Sequence, residues 1–390
     1  AGATVIGARD FLVAYNVNLN TTSVRRANSV AFDIREKGRL KRSGHPLTGP
    51  VVHDADGNPV RIPGACRGVK AIGWFIEEYG LAQISMNITD LAATPLHEAF
   101  EAARRSAKAR GLRVTGSELV GMVPLRVLLE AGKYFLRQQR RSLGISEAEI
   151  IQIAVKSLGL DELGPFDPAQ KIIEYQLRDQ TEKPLVRMDL QDFANQTASE
   201  SPAPGGGSVA AYVGTLGASL GTMVANLSSH KRGWDDRWEY YSNWAEKGQE
   251  LKAQLLALVD EDTRAFEAIM AAMRLPKGSE TEKASRSAAI QSATKAAMLI
   301  PFRVMEVSSA VFPLCRAMAS EGLPASVSDA GVGALCARAA IHGAYLNVQI
   351  NASGLQDETF KQDLLKRGLQ LTQAADQAEQ EIMELVREKI

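Results

Sequence analysis

Asp262 is the residue of this sequence best placed to carry a proton. Leu251, Leu255, Leu258, Val259, Phe266, Ile269, Met270 and Met273 recur at helical spacing, and Asp262 falls on their stripe while Asp260 and Glu261 are rotated away. A carboxylate buried among aliphatics must find donors or take up a proton, and a raised pKa is what a general acid or base at neutral pH requires. The same burial also suits a structural aspartate satisfied by a neighbouring helix. A second feature is Pro202-Ala203-Pro204-Gly205-Gly206-Gly207-Ser208, at the start of a helix, where free N–H groups and the dipole favour an anion. It is not a nucleotide loop, because no Gly-Lys-Ser/Thr follows and no strand precedes it. Glycines needed only for a tight turn, with Ser208 as an N-cap, give the same pattern. Asn347 and Asn351 stand four apart on one helical face, where both amides could address one ligand or bond to other helices. Ser328-Asp329 precedes that helix as a cap, and His230 and His342 have no partner at metal or triad spacing. Gly116, Ser117 and Glu118 read as a strand end, a common ligand position.

The elements that must position these residues divide the chain in two. From residue 11 the order is strand (11–18), helix (22–38), two strands (70–77 and 82–89), helix (95–110), strand (112–120) and helix (124–137). Val24, Ala27, Val30 and Ile34 are the inward face of the first helix. Residues 39–68, rich in Gly and Pro, form an excursion from the core. That order predicts an α+β, ferredoxin-like sandwich with helices on one face of an antiparallel sheet. The charged, proline-containing stretch near Pro184 reads as a linker, which gives an α+β domain at 1–177, a linker at 178–189 and an all-α bundle at 190–390. Helices are predicted near 190–200, 208–229, 234–274, 280–321, 331–353 and 357–389. Residues 201–229 carry no charged side chain, but Gly, Ala, Ser and Thr dominate, so a buried helix is expected there and not a membrane span. Gly214, Gly217, Ala218, Gly221 and Ala225 would let another backbone approach.

The 390 residues carry 45 Lys plus Arg against 45 Asp plus Glu, so net charge offers no general grip on nucleic acid or an anionic membrane. Three cysteines, Cys66, Cys315 and Cys336, imply neither a disulfide framework nor a zinc site. A reducing cytoplasm and no metal are expected. Residues 1–7 have neither the basic flank nor the apolar stretch of a signal peptide, and the chain starts at Ala1 without an initiator Met.

Residues 201–211 closely resemble the opening of the cyclodeaminase domain of the formiminotransferase-cyclodeaminase family. Residues 258–266, 273–277 and 343–348 resemble that domain in the same order. Residues 2–9, Gly73-Trp74, Leu81-Ala82-Gln83, 116–121 and 171–175 look like the C-terminal half of the family's transferase domain. The resemblance implies a folate enzyme of histidine breakdown. A transferase moves the formimino group of N-formimino-glutamate to tetrahydrofolate, and a cyclodeaminase converts the product to 5,10-methenyltetrahydrofolate with loss of ammonia. It implies Asp262 as the cyclodeaminase's catalytic residue, and Gly205, Gly206, Gly207, Ser208, Asp329, Asn347 and Asn351 as folate contacts. Asn16, Gly116, Ser117 and Glu118 are the folate contacts of the transferase half, with Glu118 standing where the family has glutamine. A polyglutamylated folate, no metal and a ring-like octamer belong to the same expectation, as does a chain lacking the transferase's N-terminal subdomain. The segment at residues 40–68 looks longer than in animal members. The competing readings are a methenyltetrahydrofolate cyclohydrolase and a non-catalytic folate-binding or assembly module.

Overall fold

The computed structural model describes residues 10–45, 48–177 and 185–390. Residues 178–184 of the expected linker (178–189) and the motif at residues 2–9 lie outside the described residues. Two compact units emerge: residues 10–139 with 146–177, and residues 140–145 with 185–390.

Apolar and polar residues alternate along Val13–Leu19, which makes a strand with Val13, Tyr15, Val17 and Leu19 on one face; Asn16 and Asn18 on the other face are buried as well. This strand, β1, is followed by α1 (Val24–Ile34), β2 (Val69–Ile76), β3 (Leu81–Ile88), α2 (Leu96–Lys108), β4 (Val114–Val120), α3 (Leu125–Gln138) and α4 (Glu147–Leu158). The four strands are ordered β2-β3-β1-β4 and every neighbouring pair is antiparallel. Val13, Tyr15, Val17 and Leu19 form one core with Ile84, Met86, Ile88 and the apolar faces of the helices. Each of the fully buried side chains Ile84 and Ile88 contributes about 1.5–3 kcal/mol by burial alone. The α1 helix starts where the Ser23 hydroxyl caps it and buries Ala27, Val30, Ala31 and Ile34; Val24, expected inward, is exposed. Between α1 and β2 the excursion folds back as a short ribbon, Arg39–Leu40 against Arg61–Ile62. Gly38 has φ +62°, and a Cβ there would meet the Ile62 carbonyl at 1.8 Å, so only glycine allows this return.

The second unit holds α5 (Leu190–Thr197), α6 (Gly206–Ser229), α7 (Trp238–Met273), α8 (Glu280–Ser309), α9 (Val311–Glu321), α10 (Val327–Ala352) and α11 (Glu358–Arg387). The helix expected over 280–321 is broken at Ala310. Both α6 and the 280–321 stretch are long and apolar enough to cross a bilayer, yet both are mostly buried among neighbouring helices. Small residues achieve that burial for α6. A Cβ on Gly217 would lie 2.8 Å from the Gly333 carbonyl of α10, and one on Gly221 would lie 2.8 Å from Leu314 of α9. Residues Arg140–Ile145 belong to this unit. Ser142 Oγ donates to Asn226 Oδ1 at 2.6 Å, Leu143 N–H to Ser242 Oγ at 2.9 Å, and the Gly144 carbonyl accepts from Asn226 and Gln249. Leu185 is buried there too, its N–H donating to Asp260 Oδ1 at 2.7 Å.

Candidate active site in the helical unit

The buried stripe of α7 ends at Val259. Leu251, Leu255, Leu258 and Val259 are buried, whereas Phe266, Met270 and Met273 are exposed. Asp262 thus stands half-buried, and beyond it Phe266 and Ile269 border a cleft. That cleft is a cavity of about 260 Å³ lined by residues of four stretches: Pro202, Ala203 and Gly205 before α6, Asp262 to Ile269 on α7, Ala297 on α8, and Asn347 to Asn351 on α10.

The glycine run explains how α6 approaches so closely. Gly205 is the N-cap, so Gly206 and Gly207 lie within the first turn. A Cβ on Gly207 would sit 2.2 Å from Asp262 Oδ1, and one on Gly206 would sit 3.2 Å from Asn347 Nδ2. These glycines are there for proximity; no left-handed backbone is involved. The Asp262 carboxyl thus lies against the first turn of α6, at the positive end of its dipole.

Ser208, fully buried, completes the arrangement. Its Oγ lies 2.9 Å from the Val259 carbonyl, 3.1 Å from Asp262 Oδ2 and 3.2 Å from Thr263 Oγ1. Two proton arrangements satisfy this set. With Asp262 ionised, Ser208 donates to the carboxylate and accepts from Thr263. With Asp262 protonated, the carboxyl donates to Ser208 and Ser208 donates to the Val259 carbonyl. Burial pushes the Asp262 carboxyl above its ordinary 3.8, and the Ser208 hydroxyl and backbone N–H pull it partly back. Ser208→Ala should therefore raise the Asp262 pKa further and move the acid limb of any Asp262-dependent activity to higher pH, as a kcat/KM profile would reveal. An unmoved limb would show that the hydroxyl does not bear on this carboxyl.

Each asparagine has one committed N–H. Asn347 Nδ2 donates to the Gly343 carbonyl at 2.9 Å and Asn351 Nδ2 to the Ala297 carbonyl at 2.9 Å, leaving both amide oxygens and a second N–H each. Asp329 does not join them. It lies in the first turn of α10, not ahead of the helix, and 18 residues before Asn347 means about 27 Å along the axis. His342, read as isolated, has a partner from α11: its Nε2 lies 2.9 Å from Asp376 Oδ1, which also pairs with Arg338. His230 accepts from the Ser142 N–H at 3.4 Å. Among the described residues no group of three His, Cys, Asp or Glu could hold a metal ion.

In the α+β unit, Gly116, Ser117 and Glu118 lie within β4, not at its end, and strand alternation separates them. Ser117 pairs with Val17 and turns to the core, where its fully buried hydroxyl donates to the Leu158 carbonyl at 2.7 Å. It cannot reach a ligand on the opposite face. A Cβ on Gly116 would lie 2.7 Å from Glu162 Cβ, so its role there is packing. Glu118 and Asn16 are on the other face, Oε2 and Nδ2 being 3.4 Å apart. Gln83 Nε2 lies 3.5 Å from the same carboxylate and donates to Asn18 Oδ1 at 2.7 Å. Asn18 and Gln83 were missed as members of this polar network; polar residues at every second position of β1 and β3 were the signal.

Comparison with known proteins follows these two units. The family description "Formiminotransferase-cyclodeaminase" matches residues 189–370, and "Formiminotransferase domain" matches residues 14–178. A formimidoyltransferase-cyclodeaminase of Gallus gallus is 37% identical over 389 residues, 100% of this chain and 68% of that protein. The chain belongs to the formiminotransferase-cyclodeaminase family. The counterpart in Mus musculus is 38% identical over 96% of this chain, which spans 65% of its length. A methenyltetrahydrofolate cyclohydrolase of Methylorubrum extorquens is 37% identical over 201 residues, 52% of this chain and 97% of that protein. The transferase domain match corrects one expectation, that of a chain lacking the transferase's N-terminal subdomain: the match runs through the described α+β unit.

Proposed function

We propose that the helical unit is a formimidoyltetrahydrofolate cyclodeaminase with Asp262 as its proton carrier. The observation that carries this reading is a carboxyl raised by burial, seated on a helix N-terminus and a buried serine, and open to a cavity. N10 of the folate attacks the carbon of the formimino group in its protonated form, –CH=NH2+, and the N10 proton passes to Asp262. The nitrogen of the former formimino group takes that proton and departs as ammonia, leaving the 5,10-methenyl cation. Phe266 and Ile269 give the cavity an apolar wall for the pterin, and Asn347 and Asn351 supply the polar groups that orient it. Gly205 to Ser208 shape the site through backbone proximity. The α+β unit, read as a ferredoxin-like sandwich on its strand order, takes part in glutamate formimidoyltransfer from N-formimino-glutamate to tetrahydrofolate. Asn16 and Glu118 are its candidate polar contacts. A polyglutamylated folate, a homo-oligomer and a cytoplasmic location complete the proposal.

A second reading, methenyltetrahydrofolate cyclohydrolase, draws support from the Methylorubrum relative. The two separate in one assay, in which the chain receives 5-formimidoyltetrahydrofolate or 5,10-methenyltetrahydrofolate while ammonia and methenyl absorbance are followed. Ammonia released with a rise in absorbance supports the deaminase. Loss of absorbance without ammonia supports the hydrolase, and silence in both arms leaves a binding or assembly module.

A further inference from the structure

The α+β unit contains a second cavity, of about 580 Å³, away from the sheet face that holds Glu118. It lies between the outer side of α1 and the returning ribbon, and five arginines line it: Arg25, Arg35, Arg39, Arg42 and Arg61. No aspartate or glutamate lines it. Asp33, beside it, is shared by Arg39 and Arg110 and accepts from Ser106 as well, so one carboxylate answers two cations. Among the described residues no carboxylate pairs with Arg25, Arg35, Arg42 or Arg61.

Four unpaired guanidinium groups around one cleft repel each other, and part of the repulsion is not relieved by water. Burial and the facing Arg61 charge both hold the Arg35 guanidinium below its usual pKa. Three of the five guanidinium groups are nonetheless held in place. Arg35 lies over the Phe32 ring at 4.0 Å and donates to the Gly38 carbonyl at 3.0 Å; Arg42 donates to the Gly49 carbonyl at 2.7 Å; Arg39 donates to the Ser29 carbonyl at 2.8 Å. Each of these bonds uses only part of a five-donor fork, so further N–H groups remain. Planar forks held by backbone carbonyls, those of Arg35 and Arg42 without counter-charge, match the paired oxygens of carboxylate and phosphate. The volume is that of a small-molecule site and excludes nothing as small as a triphosphate.

We propose that this arginine-lined cleft binds a compact multivalent anion, one carrying two or more phosphate or carboxylate groups. A monovalent anion would leave most of the excess charge in place. The site needs the excursion at residues 39–68, which supplies Arg39, Arg42 and Arg61 to a helix that alone would offer a scattered basic face.

Calorimetric titration of the whole chain at fixed ionic strength tests this, with tripolyphosphate in one arm and citrate in the other. At least one should bind at one site per chain, and the arm that titrates tells polyphosphate from polycarboxylate ligands. Arg25→Ala/Arg61→Ala should weaken that binding by about tenfold or more, the loss of a charged hydrogen bond. Both side chains are exposed, so thermal melting should show the double variant folded; Arg25→Gln/Arg61→Gln serves if it is not. No one-site binding in either arm, or equal binding by a folded double variant, overturns the proposal.

Discussion

Asp262→Asn is expected to abolish ammonia release, by about 10² to 10⁴-fold in kcat, while making the protein more resistant to heat at neutral pH. The two effects have one cause. Burial raises the folded carboxyl above 3.8, near which the unfolded chain titrates, so the native state binds more protons between the two values. Stability therefore falls as pH rises through that window, and above the folded pKa the whole cost of the buried charge is present. Asparagine has no charge to desolvate and keeps an oxygen to accept from Ser208. Melting temperatures across pH should show the variant above the parent at pH 7, with the gap closing as pH falls towards 3.8. Coincident curves would mean that the carboxylate is not held at a cost, and full activity in the variant would remove Asp262 from the chemistry.

Gly207→Ala should cost as much activity without replacing a titratable group. The added Cβ would lie 2.2 Å from Asp262 Oδ1, 2.5 Å from Cγ and 2.6 Å from Oδ2, closer than any real contact. The carboxyl must swing away or α6 must shift, and either separates Asp262 from the Ser208 hydroxyl. Helix propensity acts in the opposite direction, since alanine within the first turn is preferred to glycine by about 0.5–1 kcal/mol. A folded, nearly inactive variant is thus the expected result, read from circular dichroism melting beside the ammonia assay. An active Gly207→Ala would show that the helix end has room the geometry denies it.

Much of this was legible in the sequence because it depended on short-range pattern. Alternation along Val13–Leu19 and Leu81–Ile88 defined strands, and Ser23, Ser146 and Ser279 mark helix starts through their own side chains. Asp262 was legible too, although for a reason only half right. Its stripe continues in the sequence to Met273, but Phe266, Met270 and Met273 are exposed, and nothing in the spacing of α7 reports where its buried face ends. Distance along an element was the other weakness. Asp329 shares a helix with Asn347 yet sits many turns away, and Ser117 adjoins Glu118 yet faces the core. His342 gained Asp376 from 34 residues further on, which spacing rules cannot anticipate.

The distances among Thr263, Ser208, Asp262 and the Val259 carbonyl fit either proton arrangement without moving a heavy atom. Taking up or releasing a proton at Asp262 therefore requires hydroxyl rotation and nothing larger. The reorganisation energy that water would demand around a carboxylate changing charge is largely prepaid in the fold, and the barrier to proton exchange is left to the substrate's own bonds.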